Sequence, residues 1–197
     1  LHGNIRPGPA VWMDVEPKPM IGGLASMLTA IQAERKAARD SGAHCVVIDL
    51  GDFFQGTPVG NISKGQFIAE FYKAMGYDLV TLGNHDYDEG EENVRVLVSK
   101  LGAPVVMTNL ERKGSQGSVV EYAKPWLVKE YGSLKVGYFG LMTSSFRRFA
   151  MPEHIKNIWY VNPDVAGVKA VKALKEQGCH LIVCLSHLGL EEAKLIA

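Results

Sequence analysis

Aspartate, asparagine and histidine recur in this sequence at the ends of apolar runs. Cys45-Val46-Val47-Ile48-Asp49-Leu50 leads into Gly51-Asp52, Leu79-Val80-Thr81-Leu82 into Gly83-Asn84-His85-Asp86, and the run from Cys179 to Leu185 into Ser186-His187. Such β-branched runs read as strands, and open α/β sheets build their sites where parallel strands end. Brought to one sheet edge, Asp52, Asn84 and His187 form a mixed oxygen and nitrogen donor set that suits Zn, Mn, Fe or Mg better than a thiolate site would. If two ions sit close together, Asp52 is the natural bridge, since its two oxygens can contact different metals. Paired ions orient and activate water opposite a phosphoryl group. His85 differs in kind: its imidazole can donate a hydrogen bond to phosphoryl oxygens or, protonated, a proton to a leaving group. Asp88, three residues on, can orient that ring and favour its charged form.

Each residue alone has a plainer explanation. Asp52 and Asn84 suit turns, and His187 suits a satisfied, partly buried histidine. Glu89, Glu91 and Glu92 read as a solvated acidic loop and first helical turn, where negative charge favours a helix N-terminus. It is the pairing of Gly-Asp with Gly-Asn-His-Asp on successive strands that turn chemistry does not explain. Other site chemistries are missing from the sequence. Gly22-Gly23 lacks the GxGxxG spacing, and there is neither a Walker sequence nor a GxSxG elbow. Ser186 is adjacent to His187, so on a strand the two side chains point to opposite faces and make no dyad.

The elements that must position these residues follow from periodicity. Leu24, Met27, Leu28 and Ile31 mark a helix running to about Asp40, ended by Ser41-Gly42. The strand Cys45 to Leu50 is nearly continuous in apolar character and is expected to be covered on both faces. Residues 53–58 read as a loop, with Ser63 capping a helix that holds Phe67, Ile68, Phe71, Tyr72 and Met75 and stops at Gly76. A strand over 78–82, a helix over 91–100 and a short strand over 104–107 follow. Trp126–Tyr131 and Leu134–Leu141 read as a hairpin around Gly132-Ser133. Phe146, Phe149, Trp159 and Tyr160 fall in an irregular connection, where they either pack over the core or line a cleft. Residues 163–177 carry Val165, Val168, Val171 and Leu174 at helical spacing, and Cys179 to Leu185 is again a buried-type strand. A last helix begins at Glu191. Pro7, Pro9, Pro17 and Pro19 leave no room for a long regular element near the start. Alternating helices and strands imply βαβ crossovers and a mostly parallel sheet.

Composition sets the outer bounds. The 197 residues suffice for one domain with a substantial core, and 47% hydrophobic with 21% charged residues describes a globular chain. Lys+Arg and Asp+Glu are both 21, so there is no electrostatic case for polymeric nucleic acid or an anionic membrane as partner. No apolar run approaches a bilayer span. Cys45, Cys179 and Cys184 lack zinc-type spacing and read as buried free thiols.

Three blocks carry a resemblance: Asp49-Leu50-Gly51-Asp52-Phe53-Phe54-Gln55-Gly56-Thr57-Pro58, Thr81-Leu82-Gly83-Asn84-His85-Asp86-Tyr87-Asp88, and Leu185-Ser186-His187-Leu188-Gly189. Together they resemble the catalytic domain of the 5'-nucleotidase branch of the calcineurin-like metallophosphoesterases, over practically the whole chain. The resemblance implies a four-layer αββα sandwich with mostly parallel strands in mixed sheets. It makes residues 1–197 one catalytic domain, whose C-terminal substrate-binding domain lies outside this sequence. It further implies two divalent ions (Zn, Mn, Mg, Fe or Co) and hydrolysis of nucleotide phosphate monoesters by metal-activated water. Carried over by motif, Asp52 bridges the metals, Asn84 and His187 bind the second, His2 binds the first, and His85 with Asp88 stabilises the transition state.

Asp86 stands where the family usually has glutamate. The aspartate of the family's Asp-x-His-Gly motif would precede Leu1, and its last Gly-His motif would follow Ala197. The 197 residues alone are therefore expected to be weak or inactive, with a longer parent or a partner chain completing the site. Rival readings are a cyclic-nucleotide phosphodiesterase, a UDP-sugar hydrolase, a thiosulfohydrolase-type enzyme, and a non-catalytic binding or structural protein that keeps the scaffold. Relatives are often periplasmic, secreted or surface-anchored, and a cytoplasmic location stays open on sequence alone.

Overall fold

The computed structural model describes residues 1–196. Two sheets carry the architecture. In the first, β3 (Ile48–Asp49) runs parallel to β4 (Leu79–Val80), and Val80 bridges in parallel to Val105. In the second, β7 (Leu134–Met142) lies between antiparallel β6 (Trp126–Tyr131) and parallel β9 (Leu181–His187). The site-bearing strands β3, β4 and β9 all pair in parallel. Antiparallel pairing involves β6 and two outlying ribbons, β1 (Pro7–Pro9) with β2 (Met20–Gly22) and β5 (Leu110–Arg112) with β8 (Ile158–Tyr160), besides an isolated bridge of Glu111 to Val119.

The two-residue period of the strands sorts side chains into layers. Val136 and Tyr138 of β7 join Leu185 of β9 and Leu79 of β4 in a core between the two sheets. Phe139 and Leu141 point the other way, onto Ala166, Ala170 and Leu174 of α6 (Pro163–Glu176). On the far side of the first sheet, Val80 and Leu82 pack with residues of α1 (Leu24–Asp40), α3 (Gln66–Met75) and α4 (Glu91–Leu101). Helices, sheet, sheet, helices: this is the expected four-layer αββα order.

The helices follow from their apolar spacing. Ile68, Ala69, Tyr72 and Met75 form the buried face of α3, and Gly76 ends the helix in the left-handed conformation that glycine adopts freely. Fully buried side chains of the Ile68 kind each contribute about 1.5–3 kcal/mol.

Several local expectations change. The loop read over 53–58 runs into a short helix, α2 (Pro58–Ile62), capped by Thr57. Ser63 ends α2, and Gly65 occupies the N-cap of α3. The run from Cys45 is extended only at Ile48–Asp49, and Ile48 and Leu50 are exposed, so this strand is not covered on both faces. Half of the stripe expected on α6 is buried: Leu174 is core and Val171 packs against it, whereas Val165 and Val168 face solvent and Ala166 and Ala170 meet the sheet in their place. All three cysteines are free, as expected, but only partly buried. Glu91 is not solvated, because its buried carboxylate is gripped by Arg112 at 2.6 and 3.2 Å and by Arg95 at 3.2 Å. Of the aromatics in the irregular connection, Phe146 is core, within α5 (Phe146–Phe149), whereas Phe149 and Trp159 are exposed.

Candidate active site

The strand ends deliver their residues to one open cleft of about 510 Å³, bordered by His2, Asp52, Asn84, Phe149 and His187. Asp52 is the hub. One carboxylate oxygen, Oδ1, accepts the His85 backbone N–H at 2.8 Å. The other, Oδ2, lies 3.4 Å from His187 Nε2 and 3.7 Å from His2 Nε2. Asn84 Oδ1 reaches His187 Nε2 at 3.3 Å. His2 arrives from the chain start because the backbone N–H groups of His2 and Gly3 donate to the carbonyls of Asp52 and Phe53, both at 2.9 Å. All four proposed ligands thus meet across sequence separations of up to 185 positions.

The backbone is bent to achieve this. Asp52 and His2 adopt φ values of 53° and 51°, in the left-handed region that side chains with a Cβ rarely occupy. Two glycines make the space. A Cβ on Gly51 would lie 2.2 Å from the Gly83 nitrogen, and one on Gly83 would lie 2.1 Å from Asp52 Oδ1 and 2.4 Å from His187 Cε1.

Hydrogen bonding fixes the tautomers. His187 Nδ1 lies 2.6 Å from the Leu50 carbonyl and His2 Nδ1 lies 3.0 Å from that of Gln55. A carbonyl oxygen only accepts, so each Nδ1 carries a proton and donates it. Each neutral ring then turns its Nε2 lone pair toward the anionic Oδ2, with the Asn84 oxygen beside it at His187. Lone pairs converging in this way call for a proton or a cation between them. An imidazole whose other ring nitrogen is tied to a backbone carbonyl is the usual form of a metal ligand. Between Asp52 and His187 a proton answers that demand. Burial opposes charge on both Asp52 and His187, but their mutual hydrogen bond and attraction prevail, holding the carboxyl below its ordinary range and the imidazole above its own. Among the described residues, no group of three or more His, Cys, Asp and Glu side chains is gathered closely enough to form a ready-made metal cluster. The convergence is pairwise about Asp52, with an amide oxygen as the further donor. Its donor types fit a divalent cation.

His85 and Asp88 pair as read from the sequence, Nδ1 to Oδ2 at 2.9 Å, and both remain about a third exposed at their side chains, 38% and 32%. The His85 ring stands edge-on to His2 with centroids 5.8 Å apart. Ser186 Oγ is buried without a hydrogen-bond partner among the described residues and is not paired with His187.

Asp86, read from the sequence only as standing where the family usually has glutamate, was given no role there. It is almost wholly buried, and its carboxylate accepts three backbone N–H groups: Asp52 at 2.9 Å, Gly83 at 2.8 Å and Phe53 at 3.1 Å. It therefore ties the Asp52 loop to the Asn84 loop. Burial, with the charge of Asp52 adding to it, pushes this carboxyl up to about 7 against those three hydrogen bonds. Its place within Gly-Asn-His-Asp was the available signal. Asp49 acts in a similar way one turn earlier, accepting the Gly51 N–H and the buried Tyr72 hydroxyl, both at 2.8 Å.

No family model matches the chain. It is 30% identical over 179 residues to 5'-nucleotidase of Bos taurus, an alignment covering 90% of this chain and 30% of that protein. Among solved structures, the NAD nucleotidase of Haemophilus influenzae superposes with a TM-score of 0.87 at 25% identity, over 100% of this chain and 34% of that one. A 5'-nucleotidase precursor from Thermus thermophilus superposes with a TM-score of 0.85 at 26% identity, over 100% and 37% respectively. The chain spans about a third of the length of these relatives. Over the portion that it spans, the chain is similar to the 5'-nucleotidases in sequence and shares their fold.

Proposed function

We propose that a protein carrying this chain hydrolyses phosphate monoesters of nucleotides at the edge centred on Asp52. The observation that carries this reading is the meeting of His2 and His187 on the Asp52 carboxylate, with both imidazoles locked so that Nε2 faces it and the Asn84 oxygen set against His187. His2, Asp52, Asn84 and His187 would hold divalent cations. Such ions when bound supply Lewis-acid stabilisation of phosphoryl charge and an activated water. The resemblance implies divalent metals, and the donor set accommodates Zn, Mn, Fe, Co or Mg.

The chain's own residues do the positioning. Asp86 fixes the distance between the Asp52 and Asn84 loops through three N–H bonds, so neither carboxylate nor amide can drift. Asp88 holds the Nδ1 proton of His85, leaving Nε2 of a partly exposed ring to meet a phosphoryl oxygen or the leaving group. A nucleotide 5'-monophosphate is the favoured substrate over cyclic nucleotides, UDP-sugars or a purely structural role, because the names of the relatives point to nucleotide cleavage. The rest of a longer protein, or a partner chain, would complete base recognition and the remaining metal ligands, and the 197 residues alone would be slow. By the same resemblance the protein would work in the periplasm, in secretions or at the cell surface. Among the described residues no helix is long and apolar enough to cross a membrane.

The test is phosphate release from AMP in the presence of manganese or zinc, compared with Asp52→Asn and with chelator. The reading predicts metal-dependent release that Asp52→Asn abolishes. Release that survives both chelation and Asp52→Asn would refute it.

A further inference from the structure

The helix α5 separates two clefts. Phe149 at its end borders the catalytic cleft, while Arg147 borders a second cleft of about 310 Å³ together with Lys113, Lys156, Trp159 and Tyr160. That volume lies at the lower end of the roughly 300–1,000 Å³ typical of ligand pockets. Pairing of β5 with β8 builds the second cleft. Glu111 stands opposite Trp159, and the Lys113 N–H donates to the Asn157 carbonyl at 2.8 Å, so Lys113 comes alongside Lys156 although 43 positions separate them.

The charges here are one-sided. Among the described residues, three cations border the cleft and no carboxylate does, in a chain whose Lys+Arg and Asp+Glu counts are both 21. The nearest acid by register, Glu111, is buried, with its carboxylate accepting the Gly117 N–H at 2.8 Å. Arg148, the neighbour of Arg147, is instead placed over the Phe149 ring, 5.8 Å from its centroid. Like charges gathered without a counter-charge repel, and an anion relieves that repulsion; guanidinium and ammonium groups match phosphate oxygens. The apolar component is equally specific. Trp159 is 45% exposed at the cleft, and Tyr160, which also borders it, has its hydroxyl near the Met142 carbonyl at 3.5 Å. An exposed indole beside cations suits a flat ring joined to an anion.

We propose that this cleft is a second binding site, separate from the catalytic edge, for a nucleotide-class anion: phosphate oxygens on Arg147, Lys113 and Lys156, and the base against Trp159. The proposal does not depend on the hydrolase reading, and its test removes that site from play. Equilibrium dialysis of AMP against the Asp52→Asn protein in chelator leaves only metal-independent binding. Saturable AMP binding is expected, with adenosine and inorganic phosphate each binding at least about tenfold more weakly, since each lacks one half of the interaction.

Arg147→Glu/Lys156→Glu should weaken AMP binding by more than about tenfold, and Lys156→Met should weaken it less but in the same direction. Lys169→Glu, an exposed charge reversal on α6, should leave it unchanged. Trp159→Ala should weaken AMP binding while leaving that of inorganic phosphate unchanged, with circular dichroism melting showing that each variant is folded. Absence of saturable AMP binding, equal binding of AMP and inorganic phosphate, or indifference to Lys156→Met in the folded protein would each overturn the proposal.

Discussion

Replacing Gly83 by alanine tests whether the packing of bare backbone against Asp52 sets the activity. At Gly83 φ is −104°, which alanine adopts without strain, so the effect should come from the added methyl alone. That methyl would lie 2.1 Å from Asp52 Oδ1, 2.7 Å from Asp52 Cγ and 2.4 Å from His187 Cε1, whereas ordinary carbon contacts begin at about 3.5 Å. The carboxylate and the imidazole must therefore retreat by roughly 1 Å, a displacement of the kind that costs about 10²-fold in rate when it misplaces a catalytic group. The same shift strains the 2.8 Å bond from the His85 N–H to Oδ1. Overpacking of this kind costs about 1–3 kcal/mol, which for a chain of this size lowers Tm by roughly 2–12 °C. Gly8→Ala is the control, since a Cβ there meets nothing within 4 Å. The assay is kcat/KM for phosphate release from AMP with manganese, alongside a melting curve. A Gly83→Ala protein with wild-type Tm and kcat/KM within about threefold of wild type would refute the argument that this contact positions the carboxylate.

Three further substitutions separate the roles of neighbouring groups, and a fourth probes a buried ion pair. His85→Ala should lower kcat for AMP by about 10²–10⁴-fold, and by much less for p-nitrophenyl phosphate, whose leaving group needs no proton; equal losses on both substrates would remove the acid role. Asp88→Asn should fall between wild type and His85→Ala on AMP, because it loosens the 2.9 Å bond that orients the ring; a larger loss than His85→Ala would place Asp88 in the chemistry itself. Asp86→Ala leaves three backbone N–H groups without their acceptor, at about 1–3 kcal/mol for each group that stays dry, and melting should show a Tm drop of at least about 4 °C. Arg112→Met leaves the buried Glu91 carboxylate with Arg95 alone, so melting should fall by about 4–8 °C, corresponding to roughly 2 kcal/mol, while AMP kinetics at a temperature below the transition stay at wild-type level.

The sequence by itself determined the strand ends and most of the helices. The 3.6-residue spacing in α1, α3 and α4 and the apolar runs before Asp52, Asn84 and His187 are local signals, set by side-chain type over a few neighbouring positions. The pairing of His85 with Asp88 was legible for the same reason, since only three positions separate them. Tertiary structure decided whatever depends on partners far along the chain. Whether Glu91 is solvated or buried depends on Arg112, 21 positions away, and whether Asp86 is a loop acid or a tie between loops depends on the N–H groups at 52 and 53. The failed expectation for Cys45–Leu50 has the same origin, for apolar character favours burial but cannot say which faces neighbouring elements reach. In α6 the helical spacing and the inward Leu174 and Val171 were right, but Val165 and Val168 face solvent because Ala166 and Ala170 take the sheet-facing positions in the first turns. Only the folded chain brings Lys113 beside Lys156 and Trp159, or turns two imidazole nitrogens onto one carboxylate, because each arrangement depends on the register between strands and on where backbone carbonyls lie.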